Sequence, residues 1–277
     1  MPILYLVATP IGNLEDVTLR ALRVLREVAL IAAEDTRTTR KLLAHHGIKA
    51  RLTSYHEHNK AQKIPYILSM LEQHDVALVS EAGMPAVSDP GVDLVAAAVA
   101  AGLAVVAVPG PSAVVTALAV SGLPTRRFTF VGFLPRRRTE RRRLLSSLAG
   151  QPHTIVALES PHRLLTSLAD LLEVLGDRRI AVCRELTKLH EEVFRARISE
   201  ALAHFSEPRG EFTLVVEGAT AREDAALDEE AIRSELRRLR QQGLGARRAV
   251  DEVALRFGLP RRQAYRLWLQ TKGESGQ

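Results

Sequence analysis

The stretch VALVSEAGMPAVSDPGVDLVAAAVAAGLAVVAVPGPSAVVTALAVSGLP, from Val76 to Pro124, decides the fold class. It opens with an apolar run, Val76–Ser80, of the length of a buried strand. A segment with two glycines and two prolines follows, Glu81–Gly91. A helix is predicted over Val92–Ala101 and stopped by Gly102, a residue suited to the left-handed position after a helix. A second strand is predicted over Ala104–Val108, then the turn Pro109-Gly110-Pro111 and a helix over Ser112–Ser121. Repeated strand, loop and helix argue an α/β protein with largely parallel strands. No charged residue occurs from Leu94 to Thr125, a run longer than the roughly 20 residues that span a bilayer. The Pro-Gly-Pro break and the many alanines fit a buried helix, strand and helix instead, so no membrane partner is expected.

Outward from this stretch the alternation continues. Upstream, strands are predicted over Ile3–Ala8 and Ala29–Ala33, and helices over Thr18–Val28 and Thr38–His46. Downstream, strands are expected at Phe128–Val131, Thr154–Leu158, Ile180–Cys183, Glu192–Ala196 and Phe212–Val216, with helices at His162–Leu175 and Ser199–Phe205. Ala219–Ala226 has a linker's composition. Beyond it, Asp228–Gln242, Ala246–Phe257 and Pro260–Thr271 look helical, the last two separated by a Gly258 turn as in a helix-turn-helix. The expected organisation is an α/β domain over 1–122, a second over 123–220 that completes a cleft, and a small helical domain over 227–277 of RNA-binding type.

Of 277 residues, 46% are hydrophobic, 25% charged and only 4% aromatic. These proportions exclude a disordered or fibrous chain and leave Leu, Val, Ile and Ala to build the core. The one cysteine, Cys183, excludes an internal disulfide; with no apolar leader, a cytoplasmic location is expected. The net charge is +6, but residues 126–143 hold eight arginines and one acid, and residues 228–277 eleven basic and seven acidic groups. The rest of the chain is therefore acidic. Two arginine-rich patches on an acidic body suit an anionic partner such as nucleic acid.

No GxxxxGK[ST] or GxGxxG phosphate cradle is present, which argues against an NTPase or a common NAD enzyme. The unusual residues instead sit after strands: Thr9-Pro10, Glu34-Asp35, Glu81–Asp89 and Pro109–Ser112. Ligands of open α/β sheets bind outside the carboxyl ends of strands, so these loops are expected to meet at one cleft. Glu34 and Asp35 at the end of a buried strand must be exposed in that cleft or paired, for example with Arg37; Asp35 or Thr36 could equally cap a helix. Glu159-Ser160-Pro161-His162-Arg163 and Lys188 also follow strands. His56 and His58 tempt a metal reading, but their spacing suits no zinc pattern, and no metal is expected.

Together these segments resemble the tetrapyrrole methylase superfamily, and within it the ribosomal RNA small subunit methyltransferase I group. The resemblance runs from about Ile3 to Gly218. It rests on ATPIGNLEDVTLRAL, AEDTRTTRKLL, SYHEHN, SEAGMPAVSDPG, VPGPSAVVTALAVSGLP, GFLPR, ESPHRLL and RGEFTLVVEG. It implies S-adenosylmethionine as cofactor, held in a cleft between two α/β domains, and a homodimer. It further implies methylation of a cytidine ribose 2'-hydroxyl in the decoding region of 16S rRNA, on the 30S subunit. By motif it assigns the cofactor to Pro10, Ala82, Gly83, Met84, Val87, Ser112, Ala113, Glu159 and Leu186. Glu81 and Met84 stand where relatives carry aspartates. A ribose hydroxyl needs a base or a cation to stabilise its alkoxide, for which Glu34, Asp35, Glu159 and Lys188 are the candidates. Arg37, Arg163 and Arg184 are expected on substrate phosphates. Arg136, Arg137 and Arg138, with the second triplet Arg141–Arg143, are expected along the RNA backbone. Competing readings are a corrin or porphyrin C-methyltransferase and a non-catalytic nucleic-acid-binding module.

Overall fold

The computed structural model describes residues 2–219, 229–257, 259 and 261–271. The first strands and helices are β1 (Ile3–Val7), α1 (Leu19–Glu27), β2 (Leu30–Ala33), α2 (Thr36–His45), β3 (Leu52–Ser54), α3 (Lys60–Met70), β4 (Val76–Val79), α4 (Val92–Ala100), β5 (Ala104–Val108) and α5 (Ala113–Ser121). Their strands form a parallel sheet in the order β3-β2-β4-β1-β5. Every residue of β2 and β4 is buried, as expected of central parallel strands with helices on both faces. One face packs Val7, Ile31 and Val79 against Leu22 and Leu25 of α1 and Leu43 of α2. The other packs Leu4, Leu30 and Leu78 against Ile67 of α3 and Leu94 of α4.

The chain continues through β6 (Phe128–Phe133), α6 (Arg138–Leu148), β7 (Thr154–Glu159), α7 (Leu164–Leu175), β8 (Arg179–Arg184), β9 (Glu192–Arg197), α8 (Ile198–His204) and β10 (Phe212–Val216). The second sheet has the order β6-β7-β10-β8-β9. Only β6 and β7 pair in parallel there; β10 runs antiparallel to β7 and β8, and β8 to β9. The expectation of largely parallel strands thus holds for the first sheet and not the second. In the second, β8 follows β7 through α7 but pairs with β10, which enters between them in the opposite sense.

The two sheets, expected as separate domains, belong to one compact unit, Met1–Ala219. The reason is α5: Ala117 and Leu118 pack with Val156, Ala181, Cys183 and Val215 on one face of the second sheet. A helix of the first half therefore completes the core of the second. The opposite face is covered by α6, α7 and α8 through Leu145, Leu168 and Ala201.

The second unit spans Thr220–Gln277. It contains α9 (Glu229–Gln241), α10 (Ala246–Phe257) and α11 (Arg261–Gln270). Ile232, Leu236, Val250, Val253, Leu267 and Trp268 form its core, and the Arg240 guanidinium lies 4.0 Å from the Trp268 ring centroid. The expected Gly258 turn, Pro260 and most of the linker lie outside the described residues. Among the described residues no helix is long and apolar enough to cross a membrane, and no cluster of His, Cys, Asp or Glu could hold a metal ion.

Candidate active site

The loops after β1, β2, β4 and β5 meet at the carboxyl ends of the first sheet. Thr9 and Gly83 exchange backbone hydrogen bonds of 2.9 and 3.0 Å, which ties the first loop to the third. The Thr9 hydroxyl also donates to the Ser80 carbonyl at 3.3 Å. A Cβ on Gly110 would stand 3.0 Å from that of Ala8, so the fourth loop lies against the first. Between these loops and the ends of β6, β7 and β8 is a cavity of about 500 Å³. Its walls are apolar at Ile11, Met84, Val87, Val114, Leu158 and Leu186, and carboxylates enter from Glu34, Glu81 and Asp89.

Two of its walls use one backbone device. Val87 sits between Ala86 and Ser88, with φ of 68° and 65°; Leu186 sits between Glu185 and Thr187, with φ of 50° and 66°. Left-handed backbone at a non-glycine residue costs roughly 1–2 kcal/mol. It persists where the surroundings impose it, typically at functional sites. Here each strained pair brackets an apolar residue that lines the cavity.

The electrostatics of these two loops differ. Burial, the nearby Glu34 and Glu81 push Asp89 up to about 6, although a hydrogen bond from Ser80 opposes the shift. Burial together with Asp35, Glu34 and Glu211 also raises Glu81, against the pull of Arg37. Glu34 accepts from the Glu81 amide at 3.2 Å. This side of the cavity therefore gathers three carboxylates, Glu34, Glu81 and Asp89, that make no ion pair among the described residues, with Arg37, itself paired with Asp35, as the cation acting on Glu81. Across it, Lys188 pairs with Glu185 at 3.0 Å and Glu211 at 3.1 Å. Burial alone would lower the Lys188 pKa, but the two carboxylates raise it. Cys183 also lines the cavity, yet burial pushes its thiol up to about 12, so it stays protonated.

Of the residues expected on the cofactor, Ala82, Gly83, Met84, Val87, Ser112, Ala113, Glu159 and Leu186 line this cavity. Pro10 does not; it is buried beside the cavity, and the next residue, Ile11, supplies the wall. The four catalytic candidates separate. Glu34 lines the cavity, and its Oε1 has no hydrogen-bond partner among the described residues. Asp35 caps α2 instead, accepting from the Arg37 and Thr38 amides at 2.7 and 3.4 Å. Hydrogen bonds from the Arg37 side chain and amide hold its carboxyl down at about 2. Glu159 is fully buried and takes the Ser160 amide at 2.7 Å, the Ser167 hydroxyl at 2.5 Å and Arg163 at 2.6 Å. It clamps the end of β7 rather than offering a free base. Lys188 is held by its two carboxylates.

The expected RNA-facing arginines separate in the same way. Arg163 donates to the Leu134 carbonyl at 2.7 Å, and Arg184 to that of Arg209 at 2.8 Å; both stitch the second sheet together. Arg138 reaches Asp170 at 3.0 Å and also pairs with Glu173. Arg141 is buried against Asp170, its Nε 2.8 Å away. The triplet 141–143, expected along the RNA backbone, is part of α6, with Arg141 turned inward to Asp170 and Arg142 paired with Glu173; this helix was missed because its arginines hid the helical stripe. Arg37 is 84% exposed on its pair with Asp35. Arg137 keeps only a surface contact to Glu140, and Arg136 makes no ion pair among the described residues. Asp89, Phe130 and Phe133 line the cavity and were not singled out, although the SDPG and GFLPR segments that hold Asp89 and Phe133, and the strand expected at Phe128–Val131 that holds Phe130, were.

The sequence profile described as tetrapyrrole (corrin/porphyrin) methylases matches residues 3–202. The chain is 48% identical over 278 residues to the ribosomal RNA small subunit methyltransferase I of Synechocystis sp., covering 99% of this chain and 100% of that protein. It is 46% identical to the protein of the same name from Halalkalibacterium halodurans, covering 96% and 94%. Among solved structures, uroporphyrin-III-C-methyltransferase from Thermus thermophilus is similar with a TM-score of 0.58 and 25% identity, over 78% of this chain and 94% of that one.

Proposed function

The chain belongs to the tetrapyrrole methylase family, in the ribosomal RNA small subunit methyltransferase I group, and from that premise we propose that it methylates 16S rRNA in the small ribosomal subunit, at the ribose 2'-hydroxyl of a decoding-region cytidine, with S-adenosylmethionine as donor. The observation that carries this reading is the cavity at the ends of the first sheet, with apolar walls and three carboxylates, Glu34, Glu81 and Asp89, that make no ion pair among the described residues.

The donor fits this lining. Its adenosine needs apolar walls, which Ile11, Val87 and Leu186 provide. Its carboxylate needs donors: the first-turn amides of α5 have no partner within the helix, and Ala113 and Val114 both line the cavity. Its two positive centres need anions, which Glu34, Glu81 and Asp89 supply. When bound, it contributes a methyl group activated by a positively charged sulfur. The protein must orient the hydroxyl toward that methyl and accept its proton. Glu34 is assigned the proton, because Asp35, Glu159 and Lys188 are held by other partners. Arg136 and Arg137 would track the RNA backbone.

A homodimer and a cytoplasmic location complete the reading. Val99 of α4 and Val115 of α5 are each 61% exposed in the stretch without charge, and β5 and β6 are edge strands. Such apolar exposure suits contact with a second copy, and a ribosomal substrate is met in the cytoplasm.

The test is transfer of labelled methyl to three substrates: 30S subunits lacking decoding-region ribose methylation, naked 16S rRNA and a corrin precursor. Label on one cytidine ribose in the subunits is the expected result. Label on the macrocycle alone would overturn it.

A further inference from the structure

Phe133 is a large aromatic left 56% exposed while lining the cavity, which places it at the rim. Strand alternation alone would not put it there. Residues 130 and 132 of a regular strand share one face, and 131 and 133 the other. In β6 the partner of Phe130 is Val156 and that of Phe133 is Leu158, so three steps along β6 match two along β7. The extra residue is a bulge, a device that redirects side chains beside active sites. Phe130 and Phe133 consequently both face the cavity.

The bulge is held from two sides. Gly132 has φ of +66°, and a Cβ there would stand 3.0 Å from the Ser88 hydroxyl, so the strained loop after β4 closes against it. On the other side Arg163 grips the Leu134 carbonyl at 2.7 Å, with Leu134 itself buried. An exposed ring between two such anchors is preorganised. Arg136 and Arg137 follow within four residues.

We propose that Phe133 is the platform on which the target nucleobase stacks when its nucleotide is splayed out of the RNA into the cavity. The proposal rests on the rRNA reading above. Methylating a ribose inside the cavity requires that nucleotide to leave its stack, and unstacked bases are commonly received by aromatic faces. Phe130, deeper in the same wall, is left to the cavity's interior, whereas Phe133 has the solvent-facing area a base would cover.

The experiment compares Phe133→Ala, Phe133→Leu and Phe133→Trp with the wild type. It measures kcat/KM on undermethylated 30S subunits, binding of those subunits without cofactor, and S-adenosylmethionine binding by calorimetry. Stacking predicts a loss of roughly 10- to 100-fold in kcat/KM for Phe133→Ala, with weaker subunit binding and unchanged cofactor binding. Phe133→Trp retains activity, and Phe133→Leu falls toward the alanine variant because it restores bulk without an aromatic face. Cofactor binding that weakens in Phe133→Ala would make Phe133 a cofactor wall and overturn the proposal. Equal activity of the Leu and wild-type proteins would overturn it too. A wild type that labels only the macrocycle fails the function reading itself and takes this proposal with it.

Discussion

The loops after β4 and β8 use the same backbone solution and opposite electrostatics. Each presents an apolar residue between two left-handed ones. In the loop after β8, however, Glu185 and Glu211 share Lys188, Thr187 accepts from the Asn13 amide at 3.0 Å, and Leu186 is 7% exposed. That loop is satisfied within the protein. In the loop after β4, Glu81 and Asp89 gather near Glu34, none of the three in an ion pair among the described residues, and Val87 is 50% exposed. Strain alone therefore does not mark the ligand-facing side; unbalanced charge and exposed apolar surface beside the strain do. One loop is a finished wall, and the other is completed by what enters the cavity.

The contrast is sharpest at Glu34, which adds to the charge of the loop after β4. Glu34→Gln is expected to lower kcat by roughly 100- to 10,000-fold, with a much smaller effect on folding. Single-turnover methyl transfer alongside thermal denaturation checks this, and a kcat within a few-fold of wild type would remove Glu34 from the chemistry.

Truncating the two bracketed residues compares the loops directly. Leu186→Ala opens space in a packed core and is expected to cost about 2–4 kcal/mol in chemical denaturation. Val87→Ala, half-exposed, should cost less than about 1 kcal/mol and register mainly as weaker cofactor binding. Equal costs would erase the distinction between finished and unfinished wall.

Asp89 tests the charge. Its folded pKa of about 6 lies above the ordinary 3.8, so between those values the folded state holds more protons than the unfolded one. Stability on account of Asp89 is then greatest at low pH and falls as pH rises through that window. Asp89→Asn escapes the loss: it should be more stable than wild type at pH 7, by about 1 kcal/mol after screening, and indistinguishable near pH 3. Cofactor binding should weaken in the variant, and in the wild type as pH drops below 6. Denaturation curves and calorimetry across pH 3–8 read both.

The smallest expected effect concerns the strain. Ala86→Gly relieves a left-handed alanine and should be neutral to about 1 kcal/mol stabilising. Thr187→Gly relieves the same strain but removes the hydroxyl that holds Asn13, so its gain should vanish or reverse. Matching gains in both would show that the hydrogen bond across the first loop contributes nothing.

Much of this was legible in the chain. The alternation from Ile3 to Ser121 predicts β1, β2, β4, β5 and their helices within one or two residues, since a strand or amphipathic helix is encoded in a short window. Where the window misleads, elements were missed. β3 has three residues, α3 contains Pro65, and α6 begins RTERRR, where charge conceals the stripe that buries Leu145 and Leu148. The cavity lining was legible as motifs, because glycine, proline and small residues after strands are there for backbone reasons.

What those residues do was not legible, because partners are chosen across long separations. Arg141 meets Asp170 from 29 positions away, Arg163 reaches the Leu134 carbonyl from the same distance, and Lys188 lies on Glu211 from 23. An arginine destined for RNA and one destined for a buried carboxylate read alike in sequence. By itself the sequence determined the α/β alternation, the loops at the strand ends and the family, all properties of local pattern. Only the tertiary structure decided which carboxylates remain unpaired, which arginines remain on the surface, and that a one-residue bulge turns Phe133 toward the cavity. Ion pairing, burial and strand register depend on which distant residues the fold brings within a few ångströms.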